Sequence, residues 1–260
     1  MVCWRKIRYA ARGMSRDSSS KADTAGDLQD RSAALPHWRD LLAALGLLTR
    51  LPLPRPSPGS VAFARATIFF PLVGLGIGAV LVAVNWLGVG RLGLWVAAVV
   101  LVACWEGLSR PLGLRGAGNE SKRPGAHWVI RAFAGGLIAA KIGCLSLRTG
   151  SRPAALLFAP MLARWCMVVL AVGARDADDP GRKFNPALTF REFALTSVFT
   201  CAALFWVAEA AGILIMVCIA GISLASRLLT HRWAGGVTWP MLDVGARAIE
   251  ALVLFLWAVL

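Results

Sequence analysis

Acidic and basic side chains are scarce inside the apolar runs of this chain, so the few found there are the first candidates for chemistry. Glu106, in "WEGLSRPLGLRGAG" (105–118), closes a long apolar run and is followed by Ser109 and Arg110. Near the other end, "GGVTWPMLDVGARAIE" (235–250) holds Asp243, Arg247 and Glu250 at i, i+4 and i+7, one face of a helix. Charged groups on the membrane portion of a helix are costly and turn inward to partners or a cavity. One reading gathers Glu106, Asp243 and Glu250 around a divalent cation. Oxygen-rich carboxylate sites suit Mg²⁺, which meets its substrates through phosphate oxygens. The other reading is a salt-bridged helix face, with Arg247 neutralising Asp243 and Glu250. Arg164, in "APMLARWCMV" (159–168), is a further intramembrane charge, expected to pair with one of these acids or to reach a substrate phosphate.

The other reactive residue types form weaker patterns. His37, His127 and His231 lie in separate loop regions without ligand spacing and read as surface histidines. The acidic "RDADDPGR" (175–182) lacks the spacing and closing glutamate of a calcium loop and reads as a solvated turn. The six cysteines form no C-x-x-C pair, and five lie in apolar runs, where a cysteine behaves as a small hydrophobe. Neither a disulfide framework nor a zinc site is expected.

The elements that must position these residues follow from composition. The chain has 260 residues, 57% hydrophobic and only 16% charged, where a soluble domain carries about a quarter. Apolar runs of roughly 17–25 residues can cross a hydrocarbon core about 30 Å thick, and helices satisfy their own backbone hydrogen bonds there. The pattern predicts an all-α polytopic membrane bundle formed by one domain, residues 36–260. A short half-helix at 38–51 precedes "PLPRPSP", which cannot continue a helix. Seven spans follow at about 66–87, 92–109, 128–147, 154–174, 192–208, 211–229 and 244–260. Thr238 is placed to cap the last helix, with Pro240 in its first turn. Gly74 and Gly78 form a small-x-x-x-small pair, read as close helix packing. Residues 1–35 are polar, lack the apolar core of a signal peptide, and read as a disordered cytoplasmic tail.

The net charge of +14 would suggest nucleic acid on a soluble protein, but here it is read as topology. With the N-terminus inside, the inner connections are 1–65, 110–127, 175–191 and 230–243. Every loop with three or more basic residues then falls on the cytoplasmic side, which orients the chain. A basic surface also suits anionic lipid headgroups or phosphorylated substrates.

Four stretches in order, "LLTRLPLP" (47–54), "FARATIFFPLVGLGIGA" (63–79), "APMLARWCMV" (159–168) and "GGVT…LDVGARAIE" (235–250), resemble the bacterial cobalamin synthases, the adenosylcobinamide-GDP ribazoletransferases. The resemblance runs from about residue 38 to the C-terminus. It implies a multi-pass transferase of the bacterial inner membrane, acting at the cytoplasmic face. The implied reaction joins a GDP-activated corrinoid to α-ribazole or its phosphate, releases GMP and needs Mg²⁺. Corrinoid and nucleoside substrates, the bilayer and other membrane proteins of the same pathway are the implied partners, and nucleic acid is not. On this basis Glu106 and Glu250 are the catalytic candidates, and Glu106, Asp243 and Glu250 the metal candidates. Arg131 and Thr238 join Arg164 as candidates for substrate binding.

The chain departs from the family pattern where the acids should stand. Against D-G-L-A-D-T-A-D-G, Glu106 takes the first aspartate position, but Arg110 and Gly113 take the second and third. Against K-D-S-R-x-G, Arg131 matches and Val129 replaces the aspartate. Against T-G-D-x-L-G-A-x-x-E, Thr238 and Leu242 match, Pro240 replaces the aspartate and Arg247 the first glutamate, while Glu250 fits a second glutamate three residues on. An arginine in place of a metal-ligating carboxylate inverts the local charge, and phosphoryl transfer depends on charge neutralisation. The rival expectations are a transferase with a rearranged metal site and a catalytically inactive homologue that binds a corrinoid or a protein partner. A small transporter fits less well, since the spans show no inverted repeat and no charged relay.

Overall fold

The computed structural model describes residues 37–53, 56, 60–87, 92–109, 126–147, 152–177 and 183–259. The expected tail at 1–35 and the loop with Arg110 and Gly113 lie outside them. Eight helices make up the described part: α1 (Trp38–Leu48), α2 (Val61–Thr67), α3 (Phe70–Trp86), α4 (Leu94–Leu108), α5 (Ala126–Ser146), α6 (Arg152–Ala171), α7 (Phe190–Ala234) and α8 (Trp239–Val259). Among the described residues strand pairing is limited to isolated bridges.

Helix α6 is the axis of the bundle, flanked by α3, α7 and α8. Its residues from Ala155 to Ala171 are buried almost without interruption, as expected of a helix apolar all round. Against α3 the approach is governed by Gly74 and Gly78. A Cβ at Gly74 would stand 2.6 Å from the carbonyl oxygen of Pro160, and one at Gly78 would meet the backbone of Leu157. The small-residue pair is therefore a packing device, as its spacing predicts. Against α8, Phe158 stacks on Trp257 with centroids 5.7 Å apart.

Helix α7 is 45 residues long, and a straight helix of that length would extend about 67 Å. It does not run straight. The Trp165 indole donates to the Ser197 hydroxyl (3.0 Å), and the Ser223 hydroxyl donates to the Cys166 sulfur (3.2 Å). Ser197 and Ser223 would be roughly 39 Å apart on a straight helix, yet they touch consecutive residues of α6. The chain therefore turns back between them, giving the two arms Phe190–Val207 and Gly212–Trp233. These correspond to the spans expected at 192–208 and 211–229.

By length and apolarity, three stretches among the described residues can each cross a membrane: Arg152–Ala171 and the two arms of α7. The pair α2–α3, bent by 50°, makes a fourth if taken as one span. Helix α4 and residues Ala132–Ser146 are shorter apolar helices, and α8 carries three charges, so the seven expected spans are not all met by these criteria. Five exposed tryptophans, Trp38, Trp86, Trp95, Trp206 and Trp233, lie close to helix or arm ends. That is the distribution of aromatic residues at membrane–water boundaries.

Two loop contacts fix the helix ends that matter below. After α1, Thr49 bridges Ser109 at the end of α4, with Arg50 N–H donating to the Leu108 carbonyl (3.3 Å) and Arg50 Nε to the Ser109 carbonyl (3.4 Å). The "LTRLP" stretch thus clamps the end of α4, just beyond Glu106. Ahead of α8, Val237 N–H donates to the Arg175 carbonyl (2.8 Å), and Gly236 leaves no room for a side chain beside that carbonyl. Helix α8 then starts one residue after Thr238, whose carbonyl accepts from the Leu242 amide (3.1 Å). Pro240 sits in the first turn, where its missing N–H costs nothing.

Candidate functional site

Four helices bring charge to one place. Glu106 comes from the last turn of α4, Lys141 from α5, Arg164 from α6, and Asp243, Arg247 and Glu250 from one face of α8. Glu106 is held at both oxygens. Lys141 Nζ donates to Oε1 at 2.9 Å and Arg247 NH1 to Oε2 at 2.6 Å. Lys141 also donates to Glu250 Oε2 at 2.5 Å, and Arg164 NH2 stands 3.8 Å from Glu250 Oε1. Arg247 Nε donates to Asp243 Oδ2 at 3.2 Å, the i, i+4 pair foreseen from spacing.

The cluster is alternating and formally neutral: Glu106, Asp243 and Glu250 against Lys141, Arg164 and Arg247. Its inner members are buried, with Lys141 at 0%, Glu250 at 2% and Arg164 at 3% exposure. Such burial is sustainable only where each charge has partners, because an isolated ion loses far more in desolvation than the fold can return. Lys141 has a further support, since its ammonium lies 4.7 Å from the centroid of the Trp105 ring.

A small cleft opens beside the cluster, lined by Glu106, Ser109, Arg164, Asp243, Arg247 and Glu250. Its unspent polar capacity is partly donor. Arg164 Nε has no partner, and its NH1 reaches only the Met167 sulfur (3.6 Å). The Ser109 hydroxyl is likewise buried without a partner. An anion entering this cleft would find an arginine and a hydroxyl ready to donate.

The structure thus gathers Glu106, Asp243, Glu250 and Arg164 in one locus. It also shows how the salt-bridged reading differs in detail. Arg247 pairs with Asp243 and Glu106, whereas Glu250 is matched by Lys141 and Arg164. Thr238 does not line the cleft; it starts α8 and so sets the register of the three charges behind it. Arg131 belongs to α5, but its side chain lies outside the described residues. Lys141 is the residue that sequence reasoning missed. The signal was available: the lysine is the one charge in the apolar stretch "GLIAAKIGCL" (136–145), the same cost that singled out Arg164.

The cluster as built does not fit a divalent metal ion. Among the described residues no group of three or more histidine, cysteine, aspartate or glutamate side chains is arranged to hold one. Each of the three carboxylates is engaged by an ammonium or guanidinium group.

Comparison with known proteins gives a consistent answer. The family model described as cobalamin-5-phosphate synthase matches residues 40–117 and 124–258. An adenosylcobinamide-GDP ribazoletransferase of Roseiflexus sp. (strain RS-1) is 31% identical over 220 residues, covering 75% of this chain and 80% of the relative. One from Syntrophobacter fumaroxidans is 28% identical over 243 residues, 84% of this chain and 97% of the relative. A third, from Novosphingobium aromaticivorans, is 39% identical over 95 residues, about a third of each chain. No solved structure matches.

Proposed function

Because the chain belongs to the cobalamin-5-phosphate synthase family, we propose that it is a membrane transferase joining adenosylcobinamide-GDP to α-ribazole or its phosphate, with release of GMP. The observation that carries this reading is where the charge cluster falls. All six of its residues lie inside the two segments matched by the family model, and five of them (all but Lys141) line one cleft. In the reaction a ribazole hydroxyl bonds to the phosphorus that bears the corrinoid. The bond from that phosphorus to GMP breaks, and GMP leaves with the electron pair. Glu106, the more exposed of the two catalytic candidates, accepts the hydroxyl proton. Arg164 receives a phosphate oxygen through its unspent donors, Arg131 contacts substrate by analogy with the family motif, and Thr238 acts through the register of α8. Glu250 keeps Lys141 and Arg164 in place. The protein crosses the bacterial inner membrane seven times with its N-terminus in the cytoplasm. The substrates reach it from that side, in the company of other membrane proteins of the pathway.

A second reading is a catalytically inactive homologue that binds a corrinoid or a protein partner. It is favoured by one observation, the pairing of each acid in the cluster with a base. The test is GMP release by purified protein in lipid, given adenosylcobinamide-GDP and α-ribazole phosphate, with and without Mg²⁺. Turnover to a cobalamin product that is lost in Glu106→Gln supports the transferase. Folded protein that binds the corrinoid without releasing GMP establishes the second reading.

A further inference from the structure

We infer that Lys141 occupies the electrostatic place of a divalent cation, so that the cleft works on a built-in counter-charge and excludes Mg²⁺ in its native form. The inference concerns the cluster itself and does not depend on the reaction proposed above.

Three observations carry it. First, the ammonium of Lys141 bridges two carboxylates from different helices, Glu106 Oε1 at 2.9 Å and Glu250 Oε2 at 2.5 Å. Bridging acids from separate elements is what a metal ion does in an oxygen-ligand site. Here the bridging group is covalently part of the fold and cannot be exchanged. Second, the charges balance without a guest. Three carboxylates face three bases, and a divalent ion would leave a net charge of about +2 in a locus where Lys141, Arg164 and Glu250 are nearly inaccessible. Third, Arg164 Nε and the Ser109 hydroxyl are buried at the cleft and still lack partners. A donor-rich remainder suits an anion, not a second cation.

The chain also has a reason to place a lysine there. An ammonium is a compact point charge with three donors and can serve two carboxylates at once. The Trp105 face at 4.7 Å shields it on a further side, and Arg247 occupies the other oxygen of Glu106.

The experiment uses the full chain in nanodiscs of phosphatidylcholine, with Mn²⁺ as the probe and the free-ion electron paramagnetic resonance signal as the readout. Uptake that persists in Glu106→Gln belongs to another locus and is subtracted. Wild-type protein is expected to show no remaining uptake. Lys141→Met is expected to gain a site that binds Mn²⁺ at least about tenfold more tightly than wild type. Lys141→Gln, which removes the charge but keeps a polar side chain, provides a second gain-of-binding variant should Lys141→Met fail to fold. Uptake by the wild type that disappears in Glu106→Gln would overturn the inference. So would folded Lys141→Met or Lys141→Gln protein that takes up no more metal than wild type. Should neither variant fold, the wild-type measurement decides alone, by the same criterion.

Discussion

Lys141 and Glu250 form the most deeply buried pair of the charge cluster, because both are almost fully enclosed and each would lose its closest partner with the other. Removing one partner of such a pair costs about 3–5 kcal/mol, most of it the penalty of an uncompensated buried charge. Lys141→Met is therefore expected to lower the denaturation midpoint sharply in detergent or nanodiscs. The double variant Lys141→Met with Glu250→Met should recover part of that loss, since two apolar side chains can replace an ion pair at little net cost, while Arg164 loses its carboxylate partner. A loss in the double variant equal to the sum of the Lys141→Met and Glu250→Met losses would show that the pair is not coupled. Arg247→Gln should cost less, as its guanidinium is at the more accessible edge and pairs with acids that water also reaches.

Among the elements, α3 and α6 illustrate how small residues set geometry where no water drives helices together. A Cβ at Gly78 or Gly74 would collide with α6 backbone, which cannot rotate away as a side chain could. Gly74→Ala or Gly78→Ala is expected to destabilise by about 1–3 kcal/mol through overpacking. Gly76→Ala, two residues away on an open face, should be neutral or gain up to about 1 kcal/mol from helix propensity. Parallel thermal denaturation of the three variants checks the contrast, and similar losses in all three would contradict it. The clamp between Arg50 and the end of α4 belongs to the same scale. Arg50→Ala should loosen the end of α4 beyond Glu106 and lower turnover more than stability, read as a fall in kcat with a small change in Tm.

For the whole molecule, the distribution of basic loops makes a topological prediction. Cysteines introduced at Arg115 and Arg182 should react with a membrane-impermeant thiol reagent only from the cytoplasmic side, and one at Arg148 only from the opposite side. Labelling of sealed vesicles of both orientations, in a background where the native cysteines are replaced, reads this directly. Reaction of Arg115→Cys and Arg148→Cys from the same side would refute the layout. The fold-back of α7 brings Arg227 of the second arm to the end of α6, where it donates to the Val169 carbonyl. That places the end of α7 beside the segment Arg175–Ala177, which bridges Val237 ahead of α8.

Helices, their order and their approximate ends were legible in the chain because lipid leaves the backbone few alternatives: apolar runs must be helical, and prolines, glycines and basic loops must fall between them. The common face of Asp243, Arg247 and Glu250 was legible too, since it follows from helical period alone. Partner choice was not. Whether Arg247 faces Glu250 or Glu106 depends on how α4 packs beside α8, and no spacing within either segment encodes that distance. Lys141 shows the limit most plainly. Its cost in an apolar helix is visible in the sequence, but only the meeting of α4, α5 and α8 decides that it bridges two acids rather than reaching for the membrane surface.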